Sequence, residues 1–304
     1  MVNTAHTGNL RKKSGLRTNN SRAGDVVVVL ICCFIIFICI LPIINIAVRS
    51  VSSADALIKN QVTFWPVGFT LESYSRVLTS AKYTNSLAFT AWLTVLCVGV
   101  SLVMTTLCAF PLTFDNLPGK KFLNTIVLIT MYFGAGTIPT YLLIKQLGLL
   151  ENWLVLVLPS CLSVFNMILM RSFFYGIPAS LRESAEIDGA GPMRVLLSIY
   201  IPLSLPVIAT LALFYAVGRW NGYTDALYYI KSKTQYHPIQ LLLYNLLNNS
   251  QSLEVATQEG FSTPGAAESI KSATVMFATV PILLVYPWLQ KYFISGVTLG
   301  AVKE

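Results

Sequence analysis

Charged residues are scarce in this chain of 304 residues. Asp, Glu, Lys and Arg make up only 11% of it, whereas 55% of the residues are hydrophobic. An ordinary soluble domain has about 25% charged residues. The hydrophobic residues are also concentrated in long runs, which is typical of membrane spans. The composition therefore excludes a soluble globular domain and predicts a polytopic membrane protein in contact with lipid.

Other absences limit the chemistry. The only two histidines, His6 and His237, lie in polar flanks, which excludes a histidine-rich metal site. The nearest approach to a Gly-x-x-x-x-Gly-Lys-Ser/Thr loop, residues 118–121, lacks the first glycine and the hydroxyl, so we do not expect this chain to bind ATP phosphates by that route. No nucleophile–base pair can be assembled with any specificity, and a membrane-embedded enzyme has little support. We expect no cofactor on this chain.

The cysteines show neither a disulfide framework nor zinc-ligand spacing. All six lie within apolar runs and are expected to be small buried hydrophobic residues. They are Cys32, Cys33, Cys39, Cys97, Cys108 and Cys161.

Six apolar segments are long enough, or nearly so, to cross a hydrocarbon core that needs about 20 helical residues. They are residues 26–48, 85–113, 122–144, 153–170, 201–218 and 272–290. We predict an all-α fold with six transmembrane helices, made of a basic tail (residues 1–25) and a membrane domain (residues 26–304). No acidic residue lies in the middle of a predicted span, whereas proton-driven transporters usually carry one there. The energy source is therefore expected on another chain.

The basic residues predict the orientation. The net charge of +8 comes from residues at the ends of apolar segments and not from a continuous stripe, so it indicates membrane orientation and no nucleic-acid partner. With both termini in the cytosol, the inner side holds twelve of the 21 basic residues: Arg11, Lys12, Lys13, Arg17, Arg22, Lys120, Lys121, Arg171, Arg182, Arg194, Lys291 and Lys303.

A polar island at residues 171–203 separates the fourth and fifth spans. Ser180 followed three residues later by Glu183 matches the capping box, in which each side chain bonds the backbone amide of the other residue. This pattern predicts a helix that begins at Leu181.

Glycine and proline then predict a turn and a second helix. Gly189 or Gly191 can take the left-handed conformation that ends a helix, and Pro192 suits the first position of the next one. Arg182 and Glu186 are four residues apart and can form an ion pair. One face of the first helix carries mostly small side chains, which let another surface approach closely: Leu181, Ser184, Ala185 and Asp188.

The whole island resembles the signature loop of MetI-like permeases of ATP-binding-cassette importers, a family that includes MalG-like sugar permeases. The residues that match in type and spacing are Glu183, Ser184, Ala185, Gly189, Ile199, Ile201 and Pro202. The family has Ala at the position of Ser184 and Leu at that of Ile201, and the Glu-Ser-Ala form resembles a branch that imports complex oligosaccharides. Local capping alone would explain Glu183 and Gly189, but it would not explain the full spacing beside Pro202.

The resemblance implies a MetI-like permease fold in which a cytosolic coupling helix between spans 4 and 5 is seated in a cleft of an ATPase. The ATPase-coupling residues would be Glu183, Ser184, Ala185, Asp188, Gly189, Ile199 and Pro202. The implied partners are a second homologous permease subunit, two cytosolic ATPase subunits that bind the ATP, and an extracytoplasmic sugar-binding lipoprotein, in a bacterial plasma membrane. The alternative is a secondary transporter or channel for small polar solutes in which residues 171–203 are a plain linker.

A second group of residues suits a path for oligosaccharides. Sugars present C–H faces to aromatic rings and hydroxyls to amides and carboxylates, and candidates of these types are Asn166, Trp220, Asn221, Tyr223 and Asp225. Anchoring of Trp and Tyr at the membrane interface would give much the same composition. The polar outer loop, residues 228–271, has room to contact a binding protein.

The third span contains helix-breaking residues near its centre. Gly134, Gly136 and Pro139 permit either a kink or the close approach of another helix, and Thr137 and Thr140 can satisfy freed backbone groups. A kinked helix would suit the lining of a pathway.

Overall fold

The computed structural model describes residues 22–248 and 264–301, and within these ranges it contains helices and no β-strand. The predicted all-α class is confirmed. The α-helices are α1 (Arg22–Ser50), α2 (Ala54–Ile58), α3 (Glu72–Thr79), α4 (Ala81–Ala109), α5 (Lys120–Tyr132), α6 (Thr137–Gln146), α7 (Val164–Tyr175), α8 (Ala179–Ile187), α9 (Pro192–Val195), α10 (Ile201–Leu203), α11 (Leu205–Asn221), α12 (Thr224–Tyr229), α13 (Ile239–Asn248) and α14 (Pro264–Ala301). Short 3₁₀ segments cover Pro111–Thr113, Trp153–Leu156, Leu158–Ser160 and Thr234–Tyr236, and a π-helix covers Leu196–Tyr200.

Three helical segments are long and apolar enough to cross a membrane on their own: Gly24–Ser50, Ala81–Thr113 and Gly265–Val285. Three further spans are bent pairs, Lys120–Tyr132 with Thr137–Gln146 at 115°, Trp153–Ser160 with Val164–Tyr175 at 46°, and Pro192–Leu203 with Leu205–Asn221 at 83°. With each pair counted as one span, the described residues contain the six that the sequence predicts.

The chain divides into two compact units, with the boundary after Asn45. Most of the predicted basic tail, residues 1–21, lies outside the described residues. The predicted boundary between tail and membrane domain, at residues 25 and 26, falls inside α1, which begins at Arg22.

Of the two alternatives for the third span, the structure shows the kink, with 115° between α5 and α6. Gly136 takes a left-handed φ of 85° ahead of α6, and the hydroxyl of Thr140 donates to the Gly136 carbonyl at 2.7 Å. Close helix approach, the alternative, is not seen within the described residues, because a Cβ on Gly134 or Gly136 would meet no atom within 4 Å.

The predicted outer loop at residues 228–271 is wrong in part. It contains α13, whose Ile239 and Leu242 are buried against Tyr83 and Ile270, and the start of α14. The sixth helical segment therefore begins at Pro264, eight residues before the predicted span. Residues 249–263 of that loop lie outside the described residues.

Polar contacts, one buried and one partly exposed, explain the early start of α14. Ser73 donates to the hydroxyl of Ser269 at 2.8 Å, and Arg49 donates to Glu268 at 3.0 Å. These contacts provide hydrogen-bond partners for the polar side chains of Ser269 and Glu268, which a hydropathy pattern alone assigns to a loop.

Helix α4 carries the core of the second unit, with one buried cluster near each end and one at its middle. The first includes Tyr83, Ile239 and Ile270; the second includes Leu93, Cys97, Val155, Leu156 and Tyr229; the third includes Ala109, Phe110, Met170, Phe174 and Tyr200. The two candidate sites described below lie beside the second and third clusters.

The cysteine prediction holds only in part. Cys97 is buried, and Cys108 and Cys161 are half-buried, whereas three cysteines on α1 are exposed: Cys32, Cys33 and Cys39. In a membrane, lipid can replace a protein core around small apolar side chains, so their hydrophobicity does not require burial within the chain.

Candidate functional site

The first helix of the 171–203 stretch begins earlier than its capping pattern predicts. Helix α8 begins at Ala179 after Pro178, and no side chain caps it. The predicted Ser180–Glu183 capping box is therefore wrong. Pro178 with φ −58° starts the turn two residues sooner, and the Leu181 amide bonds the Pro178 carbonyl at 3.2 Å, which places Ser180 inside the first turn.

The glycine turn after α8 is confirmed. Gly189 has a left-handed φ of 79°, the Ala190 amide donates to the Ala185 carbonyl at 2.9 Å, and the Gly189 amide donates to the Glu186 carbonyl at 3.1 Å. This pair of bonds is the Schellman motif, which fixes the direction of the chain after a helix. Pro192 then occupies the start of α9, as predicted.

The loop is anchored to the end of α4 through Arg182. Its guanidinium lies over the ring of Phe114, 4.9 Å from the centroid, and its Nε lies 3.5 Å from a carboxylate oxygen of Glu186, the predicted ion pair. Phe114 in turn contacts Phe110 edge-to-face at 5.0 Å. The half-buried Ala185 also packs against this cluster. The helix pair α8–α9 is thus packed against the bundle.

The helix pair also carries exposed apolar side chains. Ile187 is 86% exposed, and Leu181 and Met193 are also exposed. Of the predicted coupling residues, Ala185 and Ile199 are half-buried, while the others are exposed: Glu183, Ser184, Asp188, Gly189 and Pro202.

A π-helix and a sharp bend connect α9 to the fifth span. The Ile201 amide bonds the Leu196 carbonyl five residues earlier, and Pro202, which follows, has no amide hydrogen to donate. The 83° bend lies at Ser204, which is fully buried. Single π turns of this kind occur often at functional sites.

The second candidate site is a cavity of about 480 Å³ beside the middle of α4. Its walls come from α4, from the segment before α7, from α7 itself and from α11. The lining residues are Cys97, Ser101, Ser160, Ser163, Phe165, Asn166, Phe214, Tyr215, Gly218 and Arg219.

Two buried polar side chains in this wall lack protein partners. Asn166 is 5% exposed and Ser101 is 2% exposed, yet among the described residues nothing makes a hydrogen bond with the carboxamide of the one or the hydroxyl of the other. Tyr215 differs, because its hydroxyl accepts from the Ser163 amide at 3.1 Å and bonds Thr105 at 2.6 Å.

Arg219 lines the cavity, and its side chain is only 7% exposed. Its guanidinium forms an ion pair with Asp225, with Nη2 donating to Oδ1 at 3.1 Å, and also donates to the carbonyls of Leu156 at 3.1 Å and Gly222 at 3.0 Å. Its Nε has no acceptor within the described residues. Arg219 was not among the predicted path residues; its signal in the sequence is a lone arginine at the end of a span, six residues before an aspartate.

The other predicted path residues lie away from the cavity. Trp220 is buried and donates its indole N–H to the Ala278 carbonyl of α14 at 3.1 Å. Asn221 is exposed and donates to the Val217 carbonyl at 3.0 Å, and Tyr223 stacks on Tyr244 at 4.7 Å. Asn166 alone of the predicted group lines the cavity directly, and Asp225 acts on it through Arg219.

Comparison with known proteins agrees with this architecture. Residues 99–299 match the family described as binding-protein-dependent transport system inner membrane component. The chain is 38% identical over 267 residues to the polygalacturonan/rhamnogalacturonan transport system permease protein YtcP of Bacillus subtilis (88% of this chain, 93% of the relative). It is also 38% identical over 293 residues to protein LplC of the same organism (94% and 97%).

A solved structure shares the fold. It belongs to a bacterial ABC transporter involved in the import of the acidic polysaccharide alginate, with a TM-score of 0.81, 31% identity, and coverage of 92% of this chain and 100% of that one. The chain therefore belongs to the binding-protein-dependent transport system inner membrane component family and is a MetI-like permease subunit of the ATP-binding-cassette importers, a non-catalytic membrane protein whose ATPase is a separate chain.

Proposed function

We propose that this chain is one of two transmembrane subunits of an ATP-driven importer for oligosaccharides. The names of its relatives support the substrate class, since one transports polygalacturonan and rhamnogalacturonan and the structural neighbour belongs to an importer of alginate. The complete importer would add a second homologous permease, two cytosolic ATPase subunits that bind the ATP, and an extracytoplasmic sugar-binding lipoprotein.

The observation that carries the coupling role is the exposed helix pair α8–α9, which is packed against the bundle on its other side. Exposed apolar side chains such as Ile187 and Met193 suit a cleft on another protein, and the exposed Glu183 and Asp188 would contact the rim of that cleft. The Schellman turn at Gly189 holds the two helices at a fixed angle. In this proposal, α8–α9 is the coupling helix seated in the ATPase.

Side-chain contacts can transmit a displacement of α8 directly to the membrane helices. Arg182 lies on Phe114 at the end of α4, and the same aromatic cluster includes Phe174 of α7 and Tyr200 of the π-helix, with centroids 5.3 Å apart. Closure of the ATPase dimer on ATP would therefore move the ends of three spans together. Alternating access to a central path is the consequence that we propose.

The coupling role requires α8–α9 to face the cytosol. With six spans, this places both termini in the cytosol as well, in agreement with the short basic flank at Lys120 and Lys121.

The break between α5 and α6 supports a second permease subunit. Residues 133–136 are outside any helix and exposed on this chain. Irregular backbone does not persist against lipid, because its amides and carbonyls would lack partners; it must be covered by protein or line a water-filled path. A second subunit and the path between the two would provide both.

Substitution at Gly189 tests the coupling role against a matched control. Gly189 and Gly148 both have left-handed φ, 79° and 68°, and a Cβ on either meets no atom within 4 Å. Valine costs roughly 1–2 kcal/mol of backbone strain at each site, so local damage is equal. We expect Gly189→Val to abolish oligosaccharide uptake and ATPase co-purification while membrane insertion persists, and Gly148→Val to retain both.

Normal uptake by the Gly189→Val transporter would contradict the coupling role. Uptake that survives ATP depletion and follows an ion gradient would instead identify a secondary transporter.

A further inference from the structure

The cavity beside α4 has the composition of a binding site for a charged sugar. Its wall offers a hydroxyl from Ser101, a carboxamide from Asn166, aromatic rings from Phe165 and Phe214, and one cation, Arg219. No carboxylate is among the lining residues. Its volume of about 480 Å³ lies within the range of small-molecule sites, about 300–1,000 Å³.

Two polar side chains of the wall are free to form hydrogen bonds with a ligand. Buried side-chain donors and acceptors nearly always have partners, and a side chain that lacks one calls for an explanation. Ser101 and Asn166, both at least nine-tenths buried, lack partners in the part of the chain that the structure describes. Sugar hydroxyls, which donate and accept, would satisfy both.

The field in the cavity favours an anion. Arg219 lines the cavity and Asp225 does not, so the cation is the only member of this ion pair that borders the space. Its Nε–H is buried and has no acceptor among residues 22–248 and 264–301. Charges act strongly in a site with few water molecules. A carboxylate in the cavity would therefore interact favourably with the guanidinium.

We propose that this cavity is a translocation subsite for a sugar residue that carries a carboxylate, that is, a uronate. Its hydroxyls bond Asn166 and Ser101, a C–H face packs on the aromatic rings, and its carboxylate approaches Arg219. The assignment rests on the proposed function as an oligosaccharide permease. It adds the substrate class and the residues that recognise it.

Equilibrium binding of labelled trigalacturonate tests the subsite. The probe is added to the complete transporter in nanodiscs, without the binding protein, so that only the membrane subunits contribute. The carboxyl-reduced trisaccharide, which keeps every other group, serves as competitor. We expect it to compete about tenfold more weakly than unlabelled trigalacturonate, the effect of losing one charge-assisted contact.

Three variants test which residues are responsible for sugar binding and for the preference for the acidic sugar. Asn166→Ala should weaken binding of both sugars by about tenfold, and Arg219→Gln should remove the preference for the acidic one. Asn221→Ala, an exposed amide outside the cavity, should change neither. Arg219→Gln also breaks the ion pair with Asp225, so Asn166→Ala provides the test that does not depend on that pair.

Equal competition by the two sugars in the unmodified transporter would overturn the uronate assignment, and unchanged binding in Asn166→Ala would overturn the subsite. Recovery of the ATPase subunit and its basal ATP hydrolysis are measured on the same samples. A transporter that hydrolyses ATP but binds no trigalacturonate contradicts the cavity assignment and leaves the proposed function intact. Failure to recover the ATPase contradicts the proposed function itself.

Discussion

Glu151 ties together two loops that are distant in sequence. Its carboxylate accepts hydrogen bonds from the backbone amides of Lys231 at 2.8 Å, Ser232 at 3.1 Å and Lys233 at 3.1 Å. These bonds, led by that of Lys231, stabilise the charged form and hold the pKa of Glu151 below its ordinary value of 4.5. The contact therefore depends on pH.

We expect Glu151→Gln to lower the melting temperature at neutral pH. Because the pKa is depressed in the folded state, the stabilisation is complete above the unfolded value of 4.5 and disappears as the pH falls through the lower folded value. Thermal unfolding at pH 7 and at about pH 3 should show the difference from the unmodified protein closing at the lower pH. Glu72→Gln, which removes only an exposed ion pair with Arg76, should have little effect at pH 7. An equal difference at both pH values would contradict this account.

Trp220 contributes to the packing of two spans. Its indole N–H donates to the Ala278 carbonyl of α14, so Trp220→Phe keeps most of the ring and removes this hydrogen bond. We expect a loss of about 1 kcal/mol in the free energy of unfolding, measured in detergent–denaturant mixtures. Asn221→Ala serves as the exposed neighbour and should change it less. Unchanged stability together with impaired uptake would instead indicate contact with substrate.

At the scale of elements, the stacking of Arg182 on Phe114 links α8 to α4. A double-mutant cycle with Arg182→Met and Phe114→Leu should give a coupling energy of about 0.5–2 kcal/mol in unfolding experiments. Glu186→Gln should cost much less, because that carboxylate is half exposed. Purely additive effects would show that the stacking contributes nothing to the attachment of the loop.

Local sequence rules predicted some parts of this element and missed others. The turn at Gly189 and the start of α9 at Pro192 follow from backbone restrictions that no environment changes. The capping box failed because Pro178 starts the helix first. Arg182 could be paired with Glu186 from spacing alone, but its contact with Phe114, 68 positions away in sequence, depends on the tertiary fold.

At the scale of the whole molecule, hydropathy predicted the number of spans because lipid requires long apolar segments. It did not predict their geometry. Hydropathy does not say which faces of α7 and α11 point inward, so Asn166 on α7 could not be assigned to the cavity wall, nor Trp220 on α11 to a helix contact. Helix α13 was missed because polar residues around it mask apolar positions such as Ile239 and Leu242, which become buried only against α4 and α14.

At the same scale, the exposed break at residues 133–136 is the part of this chain that the proposed second permease subunit would cover. Phe133 and Val95 of α4 are similarly exposed here, 76% and 75%, but only Phe133 adjoins irregular backbone that lipid cannot satisfy. We expect Phe133→Ser to reduce co-purification of the second permease subunit by about tenfold or more, as for a central interface residue. Val95→Ser, on an unbroken helix, should leave it unchanged. Since neither side chain is buried in this chain, both variants should insert and fold, and equal losses for the two would place the second subunit on a different face.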